Sequence, residues 1–367
     1  MTVTPAAVFP AIDFLLVRPS PLRIIGRIVN PLKFDLDSDP TLAEYGHQRN
    51  GVRRNPEGFG VDKATSYSFY LVSKDEAAGE SSVIGPLPNY ADGPYQFEIR
   101  HVPSGNYDVY VVFLPDTGDQ YKWHAYVGRS VVSVKNSDAI SADVHIERNA
   151  DMTGQVVRHS SAPLRERNRS EKPTLTSADP MPGGALRIDP RLQMLDFVDT
   201  NGAFRIPGGV PPGRYRVSMM RHTLPAGVYL DAARLNGANV LGVPFTIEGG
   251  SKNKLVLELR GDGGQVQGTV VDKDRRKVAN AGVVLVPPDG GRDDSSAYRF
   301  AMTNAQGEFI IEGIRPGSYS ALAFSRSAET VVLRNPSFIA PYLGDARRLE
   351  LDKGKKARTD LQPITLP

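Results

Sequence analysis

The chain of 367 residues holds 40% hydrophobic and 23% charged residues with a net charge of +3. It is long enough for two or three cores, and its Lys and Arg are too few in excess and too scattered for phosphate-backbone recognition. Cysteine is absent, which excludes disulfides, thiol chemistry and thiolate metal sites and leaves the compartment open. The 35 glycines and 29 prolines make up roughly 17% of the chain against a usual figure of about 12%, which favours many short strands joined by tight turns.

Met1 to Leu22 form an N-terminal extension without a basic start, and its apolar stretch is interrupted by Asp13 and bracketed by Pro10 and Pro19. As written it is not a signal peptide, so an exported protein would have lost its signal from this numbering. No run approaches the ~18–20 apolar residues of a membrane helix. The apolar side chains Val8, Phe9, Ile12, Phe14 and Leu16 nevertheless need burial. Two readings are open: an extra edge strand on its own first or second unit, or a strand donated to a sheet edge of another copy. The second would join subunits head to tail into a filament.

Beyond the extension the sequence repeats, and the repeat predicts three tandem units over 23–150, 151–262 and 263–367. Each opens with a short strand: Gly26-Arg27-Ile28-Val29, Gly154-Gln155-Val156-Val157 and Gly268-Thr269-Val270-Val271. Each continues with a polar turn, an aromatic strand and a second turn. These read Asp92-Gly93-Pro94-Tyr95-Gln96-Phe97 with Pro103-Ser104-Gly105-Asn106-Tyr107, then Asn201-Gly202-Ala203-Phe204 with Pro211-Pro212-Gly213-Arg214-Tyr215, then Gln306-Gly307-Glu308-Phe309 with Arg315-Pro316-Gly317-Ser318-Tyr319. Glycine supplies a positive φ and proline pre-sets one turn torsion, so the pattern predicts a hairpin with Phe97, Phe204 and Phe309 inward and a tyrosine starting each next strand.

Each unit closes with two strands, over 130–146, 243–259 and 347–364, the latter two turning at Gly249-Gly250 and Lys353-Gly354. The span 35–88 reads as extra material in the first unit, and 158–183, rich in Pro, Ser and Arg, as a loop. Helical periodicity is nearly absent, with Leu230 to Leu235 the best short exception. The expected class is all-β, three tandem immunoglobulin-like sandwiches with an N-terminal extension.

At these residues the sequence resembles the carboxypeptidase regulatory-like domain, a transthyretin-like (prealbumin-like) member of the immunoglobulin-like β-sandwiches. The third unit carries the resemblance most fully, through Gly268-Thr269-Val270-Val271-Asp272, Val278 to Leu285 and the Phe309 and Tyr319 turns; the second matches less tightly and the first least. The resemblance implies a secreted or surface accessory module that binds or scaffolds, and it specifies no ligand.

Catalytic chemistry finds little footing. His47, His101, His124, His145, His159 and His222 are dispersed, with no His-Glu-x-x-His or His-x-x-Glu spacing. Gly249-Gly250, Gly263-Gly264 and Gly290-Gly291 do not open helices, so no phosphate cradle is expected. Asp35, Asp37 and Asp39 alternate as calcium ligands do, but Pro40 and Gly46 stand where a calcium loop needs glycine and glutamate. Tyr121, Trp123 and Tyr126 surround Lys122 and His124, and such rings can stack on sugars.

The leading expectation is therefore a structural protein of the cell surface or extracellular space, not an enzyme and without cofactor or metal. Its partners would be further copies of itself or another surface protein, and neither nucleic acid nor a membrane span is expected. The alternative is an accessory module binding polysaccharide.

Overall fold

In the computed structural model, residues 22–29, 67–74, 83–91, 95–113, 126–135, 139–159, 173–179, 201–219, 224–292 and 294–365 are described. The strands fall into three consecutive sets, each around its own core.

The first set comprises β1 (Arg23–Val29), β2 (Tyr67–Ser73), β3 (Val83–Leu87), β4 (Gln96–Arg100), β5 (Gly105–Phe113), β6 (Tyr126–Val134) and β7 (Ala139–Ile146). They form one seven-stranded sheet in the order β3-β2-β5-β6-β7-β1-β4. Its inward face supplies the core, with Ile24 and Ile28 of β1, Phe97, Val109, Val111 and Val144 buried together. Two of these strands lie within the span read as extra material. β2 pairs with β5 and carries core residues Phe69 and Leu71, so that span holds integral strands of the sheet.

The second set runs β8 (Ala150–Arg158), β9 (Pro173–Ser177), β10 (Ala203–Val210), β11 (Gly213–Met219), β12 (Tyr229–Leu235), β13 (Ala238–Asn239), β14 (Phe245–Ile247) and β15 (Lys252–Arg260). A five-stranded sheet, β10-β8-β15-β12-β13, accompanies a three-stranded one, β14-β11-β9. Alternation is clean on β15, where Leu255, Leu257 and Leu259 point inward. The expected loop over 158–183 contains β9, a ladder partner of β11. Only Leu175 of this strand enters the core, too little apolar alternation to betray it in the sequence. Leu230 to Leu235 is strand and not helix. A register shift between Leu230 and Ala232 interrupts the two-residue period and imitates helical spacing.

The third set comprises β16 (Gly264–Thr269), β17 (Gly282–Val286), β18 (Arg299–Met302), β19 (Glu308–Ile314), β20 (Gly317–Phe324), β21 (Arg347–Leu351), β22 (Lys356–Arg358) and β23 (Pro363–Ile364). The sheets are β19-β16-β22 and β18-β17-β20-β21, with β23 alongside β20. All five residues of β17 are buried. Val283 and Leu285 face the inter-sheet core, while Val284 and Val286 face a second cluster on the outside. That outer cluster lies under a helix, α1 (Glu329–Arg334), and a 3-10 turn over Pro336–Asp345, where the rings of Phe324 and Tyr342 meet edge to face at 5.3 Å. The sequence pattern predicts no helix here. α1 has six residues and is followed by a 3-10 turn with Pro341 inside it, so no 3.6-residue period can build.

The repeated motif acquires a physical meaning in the ladders. Gly26 pairs with Phe97, Gly154 with Phe204 and Gly268 with Phe309. In each case the phenylalanine ring crosses the bare Cα and a carbonyl of the neighbouring strand closes in. A Cβ at Gly154 would stand 2.1 Å from the Phe204 ring, and one at Gly268 would stand 1.6 Å from the Thr359 carbonyl oxygen. Two residues before each phenylalanine the chain turns with positive φ, at Tyr95 (57°), Gly202 (86°) and Gly307 (70°). The carbonyl at that position accepts the backbone N–H of Ile28, Val156 and Val270 respectively, at 2.7, 2.7 and 2.8 Å. In the first set this left-handed position falls on a tyrosine, whereas the turn glycine of the motif, Gly93, lies outside the described residues. The tyrosine that opens the next strand is fixed alike three times. The hydroxyls of Tyr107, Tyr215 and Tyr319 donate to the carbonyls of Pro103, Pro211 and Arg315, four residues upstream, at 3.2, 2.8 and 2.8 Å, which pins the corner.

A further regularity sets how the chain passes through each set. β1 pairs parallel with β7, β8 with β15, and β16 with β22. These are the opening and closing strands in the first two sets, and in the third β22 is followed only by the two-residue β23, so the chain enters each set at one end and leaves toward the other. β1 alone, at about 3.3 Å per residue, spans roughly 20 Å. Only Glu147, Arg148 and Asn149 separate β7 from β8, and only Gly261, Asp262 and Gly263 separate β15 from β16.

Candidate functional site

β5 carries an unbroken apolar run because both of its faces are covered. Val109 and Val111 enter the main core, whereas Tyr110 and Val112 join Tyr70, Val72 and Val127 on the opposite face. Asp108 shares that opposite face and is 5% exposed. Arg129 stands across from Tyr110 in the β5–β6 ladder. Its guanidinium lies 5.8 Å from the Tyr110 ring centroid and donates to Asp108 Oδ2 at 2.7 Å. Lys74 Nζ approaches the other Asp108 oxygen at 3.1 Å.

This corner borders a cleft of about 400 Å³ between the first and second strand sets. Tyr110, Val127, Arg129 and His145 line it from the first set, Glu147 from the connection, and Ser177, Asp179, Pro212, Gly213 and Arg214 from the second. Arg214 holds Asp179 at 2.9 Å, and Arg129 reaches across to Asp179 at 3.9 Å. The result is an alternating row of carboxylate and guanidinium from Asp108 to Arg214. Each charge in the row is answered by a protein charge of opposite sign. No sequence motif marks these residues, which are single charges on β5, β6 and β11 and, for Asp179, in the bend after β9.

Burial also governs the tyrosines here. Withdrawal from water raises the Tyr110 phenol from its ordinary 10 to about 12, and burial pushes Tyr215 and Tyr319 upward as well. The neutral phenol is the folded form, so its contribution to stability is intact below about pH 10 and is lost as pH rises through 10 toward 12. Tyrosinate absorbance from these residues should therefore appear together with loss of β-sheet circular dichroism. Their titration near pH 10 with the fold intact would contradict the burial.

Val8, Phe9, Ile12, Phe14 and Leu16 of the apolar extension lie outside the described residues, as do Tyr121, Trp123, His47, His124, His222 and Asp35 to Asp39. Tyr126, read as a sugar-stacking ring, is 5% exposed and belongs to the first core. It offers no free face, because the β5 ladder sets its side chain inward opposite Phe113. Of the remaining histidines, His101 and His145 are exposed, and His159 Nε2 lies 3.1 Å from Glu258. Among the described residues no three His, Asp or Glu side chains gather where they could hold a metal ion, and no helix is long and apolar enough to cross a membrane.

Residues 265–361 match the carboxypeptidase regulatory-like domain family, in the third strand set, where the resemblance was fullest. No curated protein matches the chain. Among solved structures, a streptococcal ancillary pilin aligns over 94% of this chain and 99% of its own at 10% identity with a TM-score of 0.23. The major pilin subunit of Bacillus cereus aligns over 81% and 94% at 11% identity with a TM-score of 0.21. The minor pilin GBS52 of Streptococcus agalactiae aligns over 60% and 97% at 12% identity with a TM-score of 0.23.

Proposed function

We propose that the chain is a non-enzymatic structural protein of the cell surface or extracellular space, built of three independently folding sandwiches over 23–150, 151–262 and 263–367 and placed in series. The observation that carries this reading is the parallel pairing of the opening strand with the closing strand in the first two sets and with β22, the last but one, in the third, the sets being joined by connections of a few residues. A chain that enters and leaves each unit at opposite ends passes load straight through it. The self-compensated charges of the cleft suit a joint between units better than a reaction centre, since among the described residues that line it the Ser177 hydroxyl donates to the Asp179 backbone carbonyl and not to a base.

Assembly is assigned to the apolar extension, with Val8, Phe9, Ile12, Phe14 and Leu16 donated to a sheet edge of another copy. Burying about four such side chains at ~1.5–3 kcal/mol each, together with backbone pairing, would sustain a joint after ordering costs. Deleting Met1 to Pro19 should leave a folded monomer that no longer sediments as an assembly, and Phe14→Asp should weaken assembly without unfolding. A truncated protein that assembles as well as the full chain would sink strand donation.

A further inference from the structure

The two joints between units are built from different materials. At the second, the Gly263 N–H donates to the Gly227 carbonyl at 2.9 Å and the Gly354 N–H to the Asp262 carbonyl at 2.7 Å. The Tyr229 hydroxyl donates to Asp262 Oδ1 at 3.2 Å. Gly313, at φ 64°, lies so close to the second unit that a Cβ would stand 2.6 Å from the Val228 carbonyl oxygen. Backbone meets backbone there with no room between.

At the first joint only the connection is held in this way, the Gly250 N–H donating to the Arg148 carbonyl at 2.9 Å and Gly249 packing against Glu147; beside it the 400 Å³ cleft lies between the units, and ionic side chains bridge it. Asp108 grips Arg129 at 2.7 Å within the first unit, Arg214 grips Asp179 at 2.9 Å within the second, and the link across, Arg129 to Asp179, is the long one at 3.9 Å. Both guanidiniums are substantially exposed, at 42% and 54% of their side-chain surface. Lys74, Tyr110, Glu147 and His145 are further ionisable groups at the gap. An exposed link of this length is open to screening by salt, whereas the packed glycines and backbone bonds of the second joint are not.

From this contrast we propose that the protein has one electrostatic hinge, between the first and second units at Arg129 and Asp179, and one fixed joint, between the second and third at Gly263 and Gly313. The hinge lets the first unit swing across the cleft relative to the second while the second and third move as one body. The proposal rests on the division into units but not on polymerisation, and its test is read on the monomer.

Because the chain lacks cysteine, spin-label pairs can be introduced without background. Ser133→Cys with Ala238→Cys reports the first joint, and Ala238→Cys with Asn304→Cys the second. Raising salt from about 0.05 M to about 1 M, which shortens the screening length to about 3 Å, should shift and broaden the first pair's distance distribution and leave the second's unchanged. Asp179→Asn should reproduce the broadening at low salt, with circular dichroism confirming the fold. A first pair as narrow and as salt-insensitive as the second, or a second pair that broadens equally, would overturn the hinge. Loss of assembly with the hinge intact would bear on strand donation alone.

Discussion

Truncating Phe309 to alanine is expected to destabilise the third unit by about 3–5 kcal/mol, the cost of emptying a large buried aromatic site. Phe309 is 5% exposed, packs in the inter-sheet core and covers Gly268 across the ladder. The loss is therefore both of transfer energy and of the ring that shields a bare stretch of backbone. Urea unfolding followed by circular dichroism measures it. A cost below about 1 kcal/mol, the ordinary scale of a surface substitution or less, would mean that the ring does not hold the two strands together.

Adding a single methyl opposite that ring should be nearly as damaging. Gly268→Ala places a Cβ 1.6 Å from the Thr359 carbonyl oxygen, with the Phe309 ring at 3.0 Å, whereas Gly154→Ala meets the Phe204 ring first at 2.1 Å and the Leu255 carbonyl at 2.6 Å. Overpacking of this kind costs about 3 kcal/mol at its upper end, so both variants should lose roughly that much. The nature of the obstacle separates them. Combining Gly154→Ala with Phe204→Ala removes the nearest clash and should return about 1–2 kcal/mol relative to additivity. Gly268→Ala with Phe309→Ala leaves the Thr359 carbonyl in place and should remain close to additive. Equal coupling at the two sites would show that the strands yield more readily than their backbone contacts imply.

These pairs explain how far the sequence carries. The turn glycines of the second and third sets, the phenylalanines and the tyrosines that start the next strands could be read from it because each answers a local demand: a positive φ, an inward position on a short strand, a strand start after a Pro-x-Gly or Pro-Gly turn. The glycine opening each unit is visible in the same repeat, but its reason is not. That reason is a ring and a carbonyl brought from distant strands. Residues with weak local patterns escaped altogether. β9 offers one buried leucine, and α1 with its following 3-10 turn has no sustained period. The bulge in β12 imitates a helix by the same failure of alternation. The ionic row at the cleft was illegible for a further reason. Asp108, Arg129, Asp179 and Arg214 each look like an isolated solvated charge, and only the approach of two strand sets puts them in line.

Both joints and all three ladders bear on one claim, that the sandwiches stand in series between the chain's two ends. Pulling the full chain by its termini in a single-molecule force measurement tests it most directly. Three separate unfolding events are expected. Each should release a contour of roughly 35–45 nm, as about 105–130 residues at ~3.5 Å each require, with no event spanning two units. One cooperative release of the whole length, or an event that frees two sets of strands together, would contradict the serial arrangement.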